Sequence, residues 1–144
     1  MKKILPIVLS SVLMLGLLTA CGETNQSEPK DEPVTPPDLV GEWKQTNSNA
    51  DDSWQAATIA GDTIEVYWVS DNGDTKALYW AGSFDAPTTA DEPYTWESEN
   101  DKDQTDMAIL ARGDDTKAVT YQDGVISYEV SAMGVTQTVK LEKQ

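Results

Sequence analysis

The chain reads as an all-β protein, an up-and-down antiparallel meander of about eight strands that closes into a small barrel. Three observations predict it. Apolar and polar residues alternate at period two through most of residues 39–144. Asp-Gly, Asn-Gly and related turn pairs fall between the alternating runs. All five Trp, all five Tyr and the single Phe lie in that same stretch.

Two weaker strands come first, 40–46 and 54–59. In 63–70, Ile64, Val66 and Trp68 share a face, while Glu65 and Tyr67 point away. In 76–84, Leu78 and Trp80 alternate with Tyr79 and Ala81, and in 93–98, Tyr94 and Trp96 alternate with Thr95 and Glu97. Val119 and Tyr121 alternate with Thr120 in 117–122, and Ile126, Tyr128 and Val130 with Ser127 and Glu129 in 125–131. In 135–142, Val135, Gln137, Val139 and Leu141 share a face. Turns fall at Ala60-Gly61-Asp62, Asp71-Asn72-Gly73-Asp74, Gln122-Asp123-Gly124 and Ala132-Met133-Gly134. A meander of this size tends to close, because closure removes exposed strand edges.

One segment departs from the pattern. Residues 99–106 are nearly all polar, Met107–Leu110 are mostly apolar, and Gly113 follows. Thr105 as cap and Gly113 as terminator favour a short helix near 105–112 over a ninth strand.

Gly41-Glu42-Trp43 opens the first strand. Gly-x-Trp at this place, ahead of a run of hairpins, resembles the lipocalin-type (calycin) signature, and the resemblance implies that Trp43 closes one barrel end. That family often stacks an arginine from the last strand over the tryptophan. Here the only arginine is Arg112, so Lys140 is the nearest substitute. An eight-stranded barrel encloses side chains or one small ligand. Trp43, Trp68, Trp80, Trp96, Tyr94, Tyr121 and Tyr128 either fill that interior or, for two or three of them, line a pocket for an apolar or sugar-like ligand. Tyr67 and Tyr79, read as facing away from the core, would form an external aromatic patch if adjacent.

The beginning of the chain carries a different message. Lys2 and Lys3 precede an apolar run at 4–18, which ends in Leu18-Thr19-Ala20-Cys21. The run is shorter than the roughly 20 residues of a membrane span and suits a secretory signal. Residues 1–21 resemble a bacterial lipoprotein signal with its lipobox. The resemblance implies a signal peptide at 1–20, cleavage before Cys21, a diacylglyceryl group on the Cys21 thiol and anchoring outside the cytoplasmic membrane. Loss of Lys2 and Lys3 without any acid takes the net charge from −15 to −17. Residues 22–38 hold four of the seven prolines, one aliphatic residue and no aromatic, a composition expected to stay disordered. They form a tether reaching at most about 50 Å at ~3 Å per residue.

Composition narrows the function. With no histidine there is no Ser–His–Asp or Cys–His relay, and one cysteine forms no intramolecular disulfide. Structural zinc needs several Cys or His ligands. Twenty-five acids against ten bases repel nucleic acid and disfavour self-association, which implies a monomer. The pairs Asp51-Asp52, Asp71/Asp74, Asp101/Asp103 and Asp114-Asp115 do not match a calcium loop and read as solvated turn acids. No Asp or Glu occupies an inward strand position, so no catalytic carboxylate pair, metal or cofactor is expected. The expected function is non-enzymatic: a lipid-anchored barrel that binds a small molecule, glycan or protein. The alternative is an envelope lipoprotein that contacts a protein partner through its outer face or its acidic loops.

Overall fold

A computed structural model describes residues 34–144; the segment read as a signal sequence, Cys21 and the segment read as a tether, as far as residue 33, lie outside the described residues. Eight strands follow one another: β1 (Gly41–Gln45), β2 (Trp54–Ala60), β3 (Thr63–Ser70), β4 (Thr75–Ser83), β5 (Tyr94–Glu99), β6 (Thr116–Gln122), β7 (Val125–Ala132) and β8 (Val135–Lys143). Each lies within one residue, at either end, of the run that period two marks out. They form one antiparallel sheet in the order β4-β3-β2-β1-β8-β7-β6-β5. The hairpin turns use positive φ at Gly61, at Asp71-Asn72-Gly73, at Asp123-Gly124 and at Met133-Gly134.

The sheet curls into a nearly closed barrel. Its two edge strands meet at a single bridge, Gly82 with Asn100. Three hydrogen bonds hold this seam: Trp80 Nε1 to Ser98 Oγ (2.9 Å), Glu99 N to Ser83 Oγ (2.9 Å) and Asp101 N to the Ala81 carbonyl (2.9 Å). The core inside is built from Leu39, Trp43, Ile59, Ile64, Trp80, Trp96, Ile126, Leu141 and their neighbours. Among the described residues every core residue lies between Leu39 and Leu141, and residues 34–144 form one compact unit around that core.

In an up-and-down barrel alternate connections share an end. Residues 46–53, 71–74, 100–115 and the 133–134 turn lie at one end. The chain enters at the other, beside the turns at 61–62, 84–93 and 123–124. Cross-contacts agree: Asn72 N donates to the Asp52 carbonyl at the first end (3.1 Å), and Phe84 N to the Asp62 carbonyl at the second (2.7 Å).

Three local readings are corrected. The register between β3 and β4 shifts between Val66 and Tyr67, whose partners are Trp80 and Leu78. Tyr79 is the extra residue of a bulge, which turns it inward beside Trp80, and it is buried. There is therefore no external Tyr67–Tyr79 patch; Tyr67 instead donates its hydroxyl to Glu65 Oε2 (2.6 Å). Leu78 faces out towards Met107–Leu110 rather than into the core.

The short helix, α1, spans Lys102–Thr105, earlier than the 105–112 expected. Asp101 caps it by accepting from Asp103 N (3.1 Å). Thr105 ends the helix, its hydroxyl held by Asn100 Oδ1 (2.6 Å) and the Asp101 carbonyl (3.1 Å).

Lastly, Lys140 is exposed and pairs with Ser127, so it does not stand over Trp43. The last-strand cation opposite Trp43 is Lys143, which donates to the Asp38 carbonyl (2.9 Å) and lies against Gly41. Gly41 has φ +137°, and a Cβ there would sit 2.9 Å from Lys143 Cε. That is why glycine stands two residues before the tryptophan.

Candidate functional site

The seven aromatics proposed to line a pocket occupy different levels of the barrel. At the closed end Trp43 Nε1 donates to the Leu39 carbonyl (3.0 Å), and its ring meets Tyr121 edge-on with centroids 6.4 Å apart. Trp96 is packed by Phe84 at 5.2 Å and stacked on Tyr94 at 5.7 Å. Trp80 is fully buried at the seam, and Tyr128 is buried at mid-height, stacked on Tyr79. These side chains fill the interior. Trp68 alone of the seven reaches the open end, where it is 38 % exposed and meets the ring of Tyr79 edge-on. The two tryptophans should therefore respond differently to truncation. Trp80→Ala is expected to cost about 3–5 kcal/mol and Trp68→Ala about 1 kcal/mol or less, read from urea unfolding midpoints.

Above the filled interior sits a polar cluster. Gln55 is wholly buried; its side-chain oxygen accepts from the Tyr128 hydroxyl and its backbone N–H donates to Gln45 Oε1 (2.8 Å). Its Nε2 has no partner among the described residues. β6 and β7 pair only where Thr120–Gln122 face Val125–Ser127. Beyond that the strands part and leave a wedge of about 400 Å³.

Lys117 lines this wedge. Its Nζ donates to the Tyr79 hydroxyl (3.1 Å) and to the Glu129 carbonyl (3.3 Å). It lies 5.1–5.6 Å from the ring centroids of Tyr79, Trp80 and Tyr128. Burial lowers the Lys117 pKa, Asp114 nearby opposes this and Arg112 adds to it. Burial also raises the Tyr79 hydroxyl to about 12 and the Tyr128 hydroxyl well above its usual value.

The open end carries a trough. One part, of about 240 Å³, runs from Gln45, residues 47–50 and Ser53 past Trp68 to Val130 and Val139. A second part, of about 210 Å³, continues past Trp68 and Gln137 to Val135. Both open to solvent, and each is smaller than the ~300–1,000 Å³ of usual small-molecule sites. At the same end the barrel exposes apolar side chains: Met107, Ile109, Leu110, Met133 and Val135 join Trp68. The only other exposed large apolar side chains among the described residues, Val34 and Val40, are on the segment entering the opposite end.

The rim is also acidic. Its loops carry Asp51, Asp52, Asp71, Asp74, Asp101, Asp103, Asp106, Asp114 and Asp115 against two cations. Both cations are already paired, Lys102 with Asp115 (3.2 Å) and Arg112 with Asp114 (3.3 Å). Lys44 and Lys76 stand on the flanking strands, and Lys44 lies 4.0 Å over the ring of Trp54. The buried polar residues are Gln55, Ser98 and Thr105, so no carboxylate is buried among the described residues.

Sequence reasoning missed Gln55, Lys117 and Tyr79 as inward groups. Parity pointed to the first two: Gln55 stands two residues before Ala57, and Lys117 two before Val119. Tyr79 carried no such signal, because a bulge reverses the alternation. No family model matches the chain, and no curated protein or solved structure is significantly similar to it. What the fold and site define is a class: a small up-and-down barrel, filled inside, with an apolar, acid-ringed open end.

Proposed function

We propose that the protein is a membrane-anchored extracytoplasmic lipoprotein whose lipocalin-like barrel is a non-enzymatic binding module that engages its ligand at the open end. The observation that carries this reading is the polarity of the barrel. Apolar side chains are exposed around the mouth, while the chain running back towards Cys21 leaves from the opposite end. A lipid on Cys21 would attach the barrel through the end opposite the mouth. Gly41 and Trp43 at the closed end suit the lipocalin-type resemblance. The filled interior favours a ligand seated on the rim over one carried inside, and so favours the interaction-lipoprotein form of the reading.

Anchoring is tested by Cys21→Ser. Wild-type protein is expected in the membrane fraction and in the detergent phase on phase separation, labelled by a fatty-acid probe. The variant should lose the label and either be released or keep its signal sequence. A processed Cys21→Ser protein that still partitions fully with membranes rules the lipid anchor out.

A further inference from the structure

We infer that the open end docks a cationic amphipathic segment of a partner protein, apolar face on the Trp68 trough and the Met107–Leu110 tip, cations among the surrounding aspartates. The inference rests on the reading of the open end as the binding surface and adds the chemistry of what binds there.

Scattered exposed apolar residues are ordinary, so exposure alone says little. Here, among the described residues, six of the eight exposed large apolar side chains gather at one end. Ile109 and Met133 are essentially fully exposed and contribute nothing to the core. Two recesses lie at the same end, the first of mixed polarity and the second apolar. One is the trough that shares Trp68, Val130 and Gln137 along its length. The other is the hollow between Leu78 on the outer face of β4 and Met107–Leu110. Each recess takes the side chains of a peptide, the mode in which an amphipathic helix lies in a groove.

The charge around them selects the partner. Nine aspartates ring the apolar tips, and the two loop cations are already engaged. A neutral or acidic partner covering this end would strip water from carboxylates and give nothing in return. A second copy of this chain would bring a second ring of aspartates against the first, and an anionic bilayer repels in the same way. A basic segment with an apolar face satisfies both features together.

The test uses residues 34–144, which form one compact unit, and a synthetic Lys/Leu peptide that forms a cationic amphipathic helix. Binding is followed by calorimetry and by tryptophan fluorescence. The peptide is expected to bind, and to bind at least about tenfold more weakly when salt rises from about 50 to about 300 mM. Oligolysine of equal charge should bind at least about tenfold more weakly than the amphipathic peptide, a difference of ~1.4 kcal/mol. Trp68→Ala and the double variant Met107→Ser/Ile109→Ser should each weaken binding about tenfold, whereas Val40→Ser at the other end should not.

Each contrary result is informative. Equal binding of oligolysine reduces the effect to charge and overturns the inference. Binding of a Glu/Leu peptide or of phosphatidylglycerol vesicles in place of the cationic peptide, lost in the rim variants, overturns the inference but keeps the mouth as the binding end. Peptide binding that the rim variants leave untouched overturns both.

Discussion

Replacing Gly82 with alanine is expected to destabilise the barrel by about 3 kcal/mol or more, a loss that a urea midpoint shows directly. Gly82 is buried where β4 crosses β5, opposite Asn100. A Cβ built there falls 2.4 Å from the Glu99 carbonyl oxygen, 2.4 Å from Ser98 Oγ and 2.8 Å from Trp80 Nε1. The first of these is backbone and cannot swing away. The other two are the ends of the hydrogen bond that ties Trp80 to β5. Relief therefore requires the two edge strands to part, breaking the contacts that close the barrel. Gly113→Ala is the control: nothing lies within 4 Å of its added Cβ, so the change should stay within about 0.5 kcal/mol. If Gly82→Ala is equally silent, the edge strands separate at no cost and the barrel is effectively an open sheet.

The contrast between these glycines also shows what a sequence reveals and what it hides. Strand limits are local properties. Alternation in Thr63–Ser70 or Val125–Ala132 and turn pairs such as Asp123-Gly124 act over a few residues, so they are legible along the chain. Gly82 stands inside an apolar run with no turn around it, and its need for hydrogen in place of Cβ comes from a strand twelve or more residues away.

Tyr79 fails for a related reason: its inward turn depends on the register of β4 against β3, a pairing property rather than a chain property. The segment Met107–Leu110 misleads in the other direction. Its apolar content looks like one face of an element, yet no core lies opposite, and its side chains reach solvent. Charge made the acidic loops visible, but not that three separate connections bring their aspartates to one end; that follows only from the up-and-down topology. Lys117 was readable by parity, and its place on the wall of the β6–β7 wedge was not, because the wedge exists only where pairing stops.

Alkaline pH should unfold the protein steeply, and the sign of each contribution can be worked out. Tyr79 is raised to about 12 by burial, and Tyr67 to about 12, chiefly by its hydrogen bond to Glu65 and further by burial. Tyr94 is raised and Tyr128 is raised well above the ordinary value, both by burial. A tyrosine whose pKa is higher in the folded state contributes its full stabilisation below the unfolded value near 10. The contribution is lost as pH climbs from there through the folded value, because only the unfolded chain gives up the proton. Each tyrosine still protonated in the fold but ionised in the unfolded chain steepens the fall by about 1.4 kcal/mol per pH unit.

Lys117 acts oppositely. Its pKa is lowered in the fold, so between the folded value and about 10.5 the unfolded chain holds more protons and stability rises with pH. Urea midpoints should thus rise slightly towards pH 10 and fall sharply from pH 10 to 12. Tyr79→Phe/Tyr128→Phe should flatten the fall, and Lys117→Met should abolish the rise while leaving the fall in place. A double phenylalanine variant with an unchanged alkaline limb would show that the two hydroxyls reach water in the folded barrel.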